Sequence, residues 1–146
     1  MRALLALTLL ASATALTAPA AGREQIPAEA REIPWTGRLP ACDDPAVLSH
    51  IASNFASKEA NYWRSSLRID SFVKVRPLAW RPWGADYIPR QFCSALALVS
   101  DGHERPVHYS MREDLGPIGI GWNVQWCVTG LDRNWAYAPW CKEARP

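Results

Sequence analysis

Residues 90–113 read RQFCSALALVSDGHERPVHYSMRE, two alternating runs on either side of Ser100-Asp101-Gly102-His103. Alternation of apolar and polar side chains marks half-buried strands, and Asp-Gly is a pair that accepts the positive φ angles of a tight hairpin turn. If Asp101 and Gly102 form a two-residue turn, Val107 lies opposite Leu96 and Met111 opposite Phe92. That register decides which side chains share a face, because a slip of one residue would turn a whole strand over.

Working outward, Ile120 to Thr129 alternates cleanly, and a longer hairpin through Asp114-Leu115-Gly116-Pro117 sets Met111 opposite Trp122 and Tyr109 opposite Val124. One face then collects Phe92, Leu96, Leu98, Val107, Tyr109, Met111, Trp122, Val124, Trp126 and Val128. The other collects Cys93, Ala95, Ala97, His108, Ser110, Arg112, Asn123, Gln125, Cys127 and Thr129. Leu67 to Arg76 alternates partly and supplies a first strand.

Upstream, Asp44 is suited to cap a helix and Pro45 to occupy its first position, which predicts a helix from Pro45 to about Trp63. At about 100° per residue Leu48, Ile51, Ala52, Phe55, Tyr62 and Trp63 fall on one arc. Glu59 lies about 20° from Leu48, inside that arc, where a carboxylate needs a partner. One helix on a four-stranded antiparallel meander is an α+β layer fold, the element order of cystatin-like and NTF2-like domains. Element order alone carries no function.

The chain opens with Met1-Arg2 and an apolar run from Ala3 to Leu16, followed by Thr17-Ala18-Pro19-Ala20-Ala21. This predicts a signal peptide over residues 1–20, cut after Ala20. Residues 21–41, with Pro27, Pro34 and Pro40, read as an extended arm anchored by Trp35, and 42–146 as one domain. Leu39-Pro40-Ala41-Cys42 looks like a lipoprotein cleavage site but stands too far from the apolar run, so the mature chain is expected without a membrane anchor. The expected localisation is periplasmic or secreted.

With 16 basic and 14 acidic side chains, the basic ones scattered singly among the acids and only three of them Lys, the composition does not suit a nucleic-acid partner. Four cysteines, Cys42, Cys93, Cys127 and Cys141, have no CxxC spacing and no His pair beside them, so they read as two disulfides rather than a metal site. In the register above Cys93 and Cys127 are separated by an intervening strand and about four residues of offset, on the order of 16 Å in all, beyond disulfide reach. Cys42 with Cys93 and Cys127 with Cys141 is therefore the expected pairing, and Cys42 with Cys141 the alternative if the register errs.

Three groups of side chains could carry function. In this register His108 faces Gln125 and Ser110 faces Asn123, with Arg112 one step along: a polar ladder that is either a ligand contact or an ordinary solvent face. The connection from Pro77 to Pro89 carries Trp80, Arg81, Trp83 and Tyr87, which either stack on sugar rings or a peptide or cover an open end of the core. Glu59, with Tyr62 and an Arg such as Arg90, is either a rim ion pair or the acid/base of a pocket between helix and sheet. The acidic pairs Asp43/Asp44, Glu113/Asp114 and Asp101/Glu104 sit where caps and turns already explain them. There is no phosphate loop, nucleophile elbow or dinucleotide fingerprint, and no cofactor is expected.

Cys42-Asp43-Asp44-Pro45, Arg81-Pro82-Trp83-Gly84, Ile88-Pro89-Arg90 with Phe92-Cys93, Ser100-Asp101-Gly102 and Trp126-Cys127-Val128-Thr129-Gly130-Leu131-Asp132-Arg133 together resemble an uncharacterised family of small exported proteins of Gram-negative bacteria. The resemblance spans nearly all of residues 40–146. It implies export and paired cysteines, and no activity. The reading reached is a non-enzymatic periplasmic accessory protein that binds an envelope protein or glycan through its aromatic loop. The alternative is a small periplasmic enzyme using Glu59.

Overall fold

A computed structural model describes residues 37–81, 88–113 and 121–146. The expected signal peptide, the arm through residue 36 with Trp35, and the loop residues Trp83 and Tyr87 lie outside the described residues. Helix α1 spans Pro45–Trp63, and strands β1 (Ile69–Arg81), β2 (Arg90–Val99), β3 (Glu104–Glu113) and β4 (Trp122–Val128) follow. They form one antiparallel sheet in the order β1-β2-β3-β4, with α1 packed on one face.

Helix α1 begins where its capping chemistry places it. The Asp44 carboxylate accepts a hydrogen bond from the Ala46 N–H at 2.8 Å, Pro45 fills the first turn, and Arg64 ends the helix in the left-handed conformation at φ 49°. Its buried stripe is Val47, Ile51, Phe55 and Glu59, a strict i, i+4 row. The expected arc is corrected at its C-terminal end: Tyr62 is 77% exposed, and every residue from Ala60 to Arg64 is exposed. Periodicity gives the direction of a helix face, whereas how far that face is covered depends on the neighbouring layer.

The β2–β3 hairpin differs from expectation by one residue. Val99 and His103 close the strands, the Val99 N–H donating to the His103 carbonyl at 3.1 Å, so the loop holds three residues, Ser100, Asp101 and Gly102. The Gly102 N–H donates back to the Val99 carbonyl at 2.8 Å, and Gly102 sits at φ 81°. A three-residue loop ending in a left-handed glycine is the next commonest hairpin after the two-residue turn, and it changes the parity of the pairing. Phe92 therefore pairs with Ser110 and Ala95 with Val107. Cys93, Ala95, Ala97 and Val99 face the helix, and Phe92, Leu96 and Leu98 move to the back.

The β3–β4 register shifts by two residues, which preserves the faces: Tyr109 pairs with Trp126 and Met111 with Val124. The core thus sets Val47, Ile51 and Phe55 over the small side chains Cys93, Ala95 and Ala97, flanked by Val107, Tyr109, Met111, Val124 and Val128. Burying each large apolar side chain stabilises the fold by about 1.5–3 kcal/mol.

Two disulfides clamp opposite sides of the sheet. Cys42 bonds to Cys93 with Cα atoms 5.8 Å apart, which the corrected parity allows by turning Cys93 toward the helix start. The buried Tyr109 hydroxyl donates to the Cys42 carbonyl at 2.6 Å. Burial first, and the nearby Asp43 second, raise its pKa well above the ordinary phenol value and keep that donor protonated. Cys127 bonds to Cys141 behind the sheet, Cα atoms 5.7 Å apart, and draws the C-terminal segment onto the back face. There Cys127, Cys141 and Ala144 pack together against Tyr137.

Candidate functional site

The helix–sheet pocket is not assembled around Glu59. Its side chain is 1% exposed, and Arg133 Nη2 stands 3.0 Å from Oε2. Oε2 has no partner of hydrogen-bond geometry, so this is a charge contact rather than a directed hydrogen bond. The Arg133 guanidinium also lies 5.4 Å from the centre of the Trp63 ring. Tyr62 points to solvent. Arg90 is on the back face, paired across the strands with Arg81 and Arg112, so the three residues of the enzyme reading do not converge.

The aromatic connection is also shorter than its sequence pattern implied. Strand β1 runs on to Arg81, so Trp80 and Arg81 belong to a strand and point to opposite faces. Trp80 packs beside Gly37 at the helix-side edge, and Arg81 turns behind the sheet, 5.2 Å from the centre of the Phe92 ring. They cannot grip one ligand together.

Behind the sheet, the ladder partners are two residues away from those expected. His108 pairs with Ser94 and Cys127, Ser110 with Phe92 and Gln125, and Arg112 with Arg90 and Asn123. Ser110 is buried. Arg81 and Arg90 both lie over Phe92, at 5.2 and 5.5 Å. Burial, then the like charges of Arg112 and Arg81, lower the Arg90 pKa, and Tyr137 opposes that shift. Farther along the same face Lys74, Arg76, Ser94, Leu96, Pro106 and His108 line a cleft of about 370 Å³. Burial first, then the charges of Arg145 and Arg76, hold the His108 pKa below its ordinary value.

A second cleft, of about 250 Å³, lies in the segment that the Cys127–Cys141 disulfide closes. Asp132, Arg133, Trp135, Ala138 and Trp140 line it. Trp135 is 74% exposed and Trp140 72%. Both sit at positive φ, 56° and 50°, followed by Cys141 at 59°. Bulky residues in this conformation carry about 1–3 kcal/mol of strain each and cluster at functional sites. Asp132 organises the segment by accepting the N–H groups of Ala136 (3.2 Å) and Tyr137 (2.8 Å). Neither tryptophan was among the sequence candidates. The signal that could have found them is an aromatic-rich run, Trp135-Ala136-Tyr137-Ala138-Pro139-Trp140, between two cysteines expected to pair.

Among the described residues no three His, Cys, Asp or Glu side chains are grouped as metal ligands, and no helix is long and apolar enough to cross a membrane. The fold and its clefts define a small α+β domain stapled by two disulfides, a chemistry that persists in oxidising compartments. Compared with protein-family models, with curated proteins and with solved structures, the chain finds no match.

Proposed function

We propose that this chain is an exported periplasmic binding domain without a catalytic role, and that it holds a glycan of the cell envelope in the Trp135–Trp140 cleft. The observation that carries this reading is a pair of indoles, each about three-quarters exposed, framing one cleft on a strained, disulfide-closed segment. An exposed indole face packs well on the apolar face of a sugar ring, and Arg133 and Asp132 add polar groups to the lining. Export is supported by the leader-like first 20 residues and by the disulfides. The Glu59 enzyme reading receives no support from a carboxylate already paired with Arg133.

Retention of the purified mature protein on cell-wall sacculi tests the proposal, with tryptophan fluorescence titration against soluble wall fragments alongside. Retention that is lost in Trp135→Ala/Trp140→Ala, at unchanged melting temperature, is the expected result. No retention, or retention indifferent to both substitutions, overturns it.

A further inference from the structure

Behind the sheet, strand β1 is irregular where it crosses the 370 Å³ cleft. Val73 pairs with Leu96 and Arg76 with Ser94, so Lys74 and Val75 together oppose Ala95. Lys74 takes up the extra residue in the left-handed conformation at φ 54°. A bulge of this kind reverses the parity of the strand and re-aims the side chains beyond it. Its consequence here is specific: Val75 packs against the core, and Arg76 is turned to the back face beside Ser94 and His108. A regular strand would have placed Val75 there.

The re-aimed arginine is held in place. Its Nε donates to the Ser94 Oγ at 3.1 Å, which orients the guanidinium and leaves both Nη groups available. Lys74 lines the same cleft, and so does His108, whose Nδ1 is buried without a hydrogen-bond partner. Among the described residues no carboxylate pairs with Lys74, Arg76 or His108. Lys74 and Arg76, two permanent cations beside one cleft with no carboxylate paired to either, repel each other, and a bound anion would remove that repulsion.

We propose that this cleft binds a phosphate monoester, with Arg76 and Lys74 neutralising the phosphate, His108 donating to it through Nε2 rather than the buried Nδ1, and Ser94 positioning Arg76. A phosphate monoester carries close to two negative charges near neutral pH and offers several acceptor oxygens, which matches two permanent cations and an imidazole better than a single carboxylate does. The cleft volume falls near the lower end of the range of about 300–1,000 Å³ usual for small-molecule sites, so a small organic group on the phosphate fits beside Leu96 and Pro106. The same headgroup chemistry occurs on a soluble metabolite and on a lipid. The site is separate from the Trp135–Trp140 cleft and does not rest on the glycan reading.

Calorimetric titration of the intact, disulfide-bonded mature protein with glycerol 3-phosphate, and flotation with vesicles containing phosphatidic acid, test the proposal and separate the two sources. Amide NMR shifts at Ser94 and His108 report the location. Saturable binding to either probe is expected, weakened about tenfold or more by Arg76→Ala and by Lys74→Asn, since each removes one charge-assisted contact. Asparagine tolerates the left-handed backbone at position 74, so that variant keeps the bulge. Arg68→Ala, at an exposed arginine paired with Asp70, should bind as the parent does. Binding of glycerol 3-phosphate assigns a soluble ligand, and binding of the vesicles alone assigns a lipid headgroup. Absence of saturable binding to both, equal binding of acetate, or binding that survives Arg76→Ala and Lys74→Asn overturns the proposal. Trp135→Ala/Trp140→Ala should leave phosphate binding intact, so failure of the glycan reading and failure of this one are distinguishable.

Discussion

Arg133, from the segment after the last strand, places Nη2 3.0 Å from the buried carboxylate of Glu59 on the helix. The contact ties the C-terminal segment to α1, and Lys58 repeats it on the surface by donating to the Asn134 side chain at 3.3 Å. Removing the arginine leaves a buried charge alone. Arg133→Ala should destabilise the protein by about 1–3 kcal/mol in urea unfolding, moderated by the partial exposure of the arginine. Glu59→Leu added to that variant should recover most of the loss, because an apolar replacement of both partners leaves nothing uncompensated. A double variant no more stable than Arg133→Ala would show that the carboxylate is held by other means.

The two disulfides should separate in their effects. Cys42→Ser/Cys93→Ser opens a loop with a sequence separation of 51 and should lower stability by about 4 kcal/mol. Cys127→Ser/Cys141→Ser opens a separation of 14, about 3 kcal/mol, and in addition should abolish sacculus retention by freeing the segment that carries Trp135 and Trp140. Chemical unfolding and the retention assay on both variants check this. Equal loss of retention from the two would mean that the second disulfide has no local role.

Gly102 is required by its turn. At φ 81° a side chain is strained although nothing lies within 4 Å of where its Cβ would be. Gly102→Ala should cost about 1–2 kcal/mol, and Gly102→Asn clearly less, since asparagine visits this conformation readily. Thermal melts of the two variants settle it, with equal losses counting against a backbone origin.

His108 makes stability depend on pH. Burial, Arg145 from the C-terminal segment and Arg76 from β1 lower its folded-state pKa, while in the unfolded chain it titrates near about 6.5. Below that pH the unfolded state takes up a proton that the folded state resists. The unfolded state then binds more protons, so stability falls as the pH drops from about 6.5 toward the lowered folded value. Unfolding curves from pH 7.5 to 5 should show this decline in the parent and less of it in His108→Gln. Identical slopes would place the acid sensitivity elsewhere.

Much of the architecture was legible because its signals are local. The Asp44-Pro45 cap, the alternation of β2 to β4 and the Asp101-Gly102 turn act within a few residues, and they predict the helix, the hairpin and the α+β class. The candidate sites fared differently. Trp80 and Arg81 share a predicted loop in sequence and part to opposite faces once β1 continues through them. Tyr62 shares an arc with Phe55 and faces solvent because the covering of the helix ends at Glu59.

From the sequence alone came the helix, the presence of four strands, the β2–β3 turn and four cysteines ready to pair, while β1 was expected to end at Arg76 and runs to Arg81. Tertiary structure decided parity and cover. One extra residue in the Ser100–Gly102 loop turned Cys93 to the helix and Phe92 to the back, and one at Lys74 turned Arg76 toward His108. The Cys127–Cys141 bond laid the tail behind the sheet and framed a cleft with Trp135 and Trp140. A side-chain period of two gives both faces of a strand the same pattern, so only pairing across the sheet and packing against distant segments choose between them.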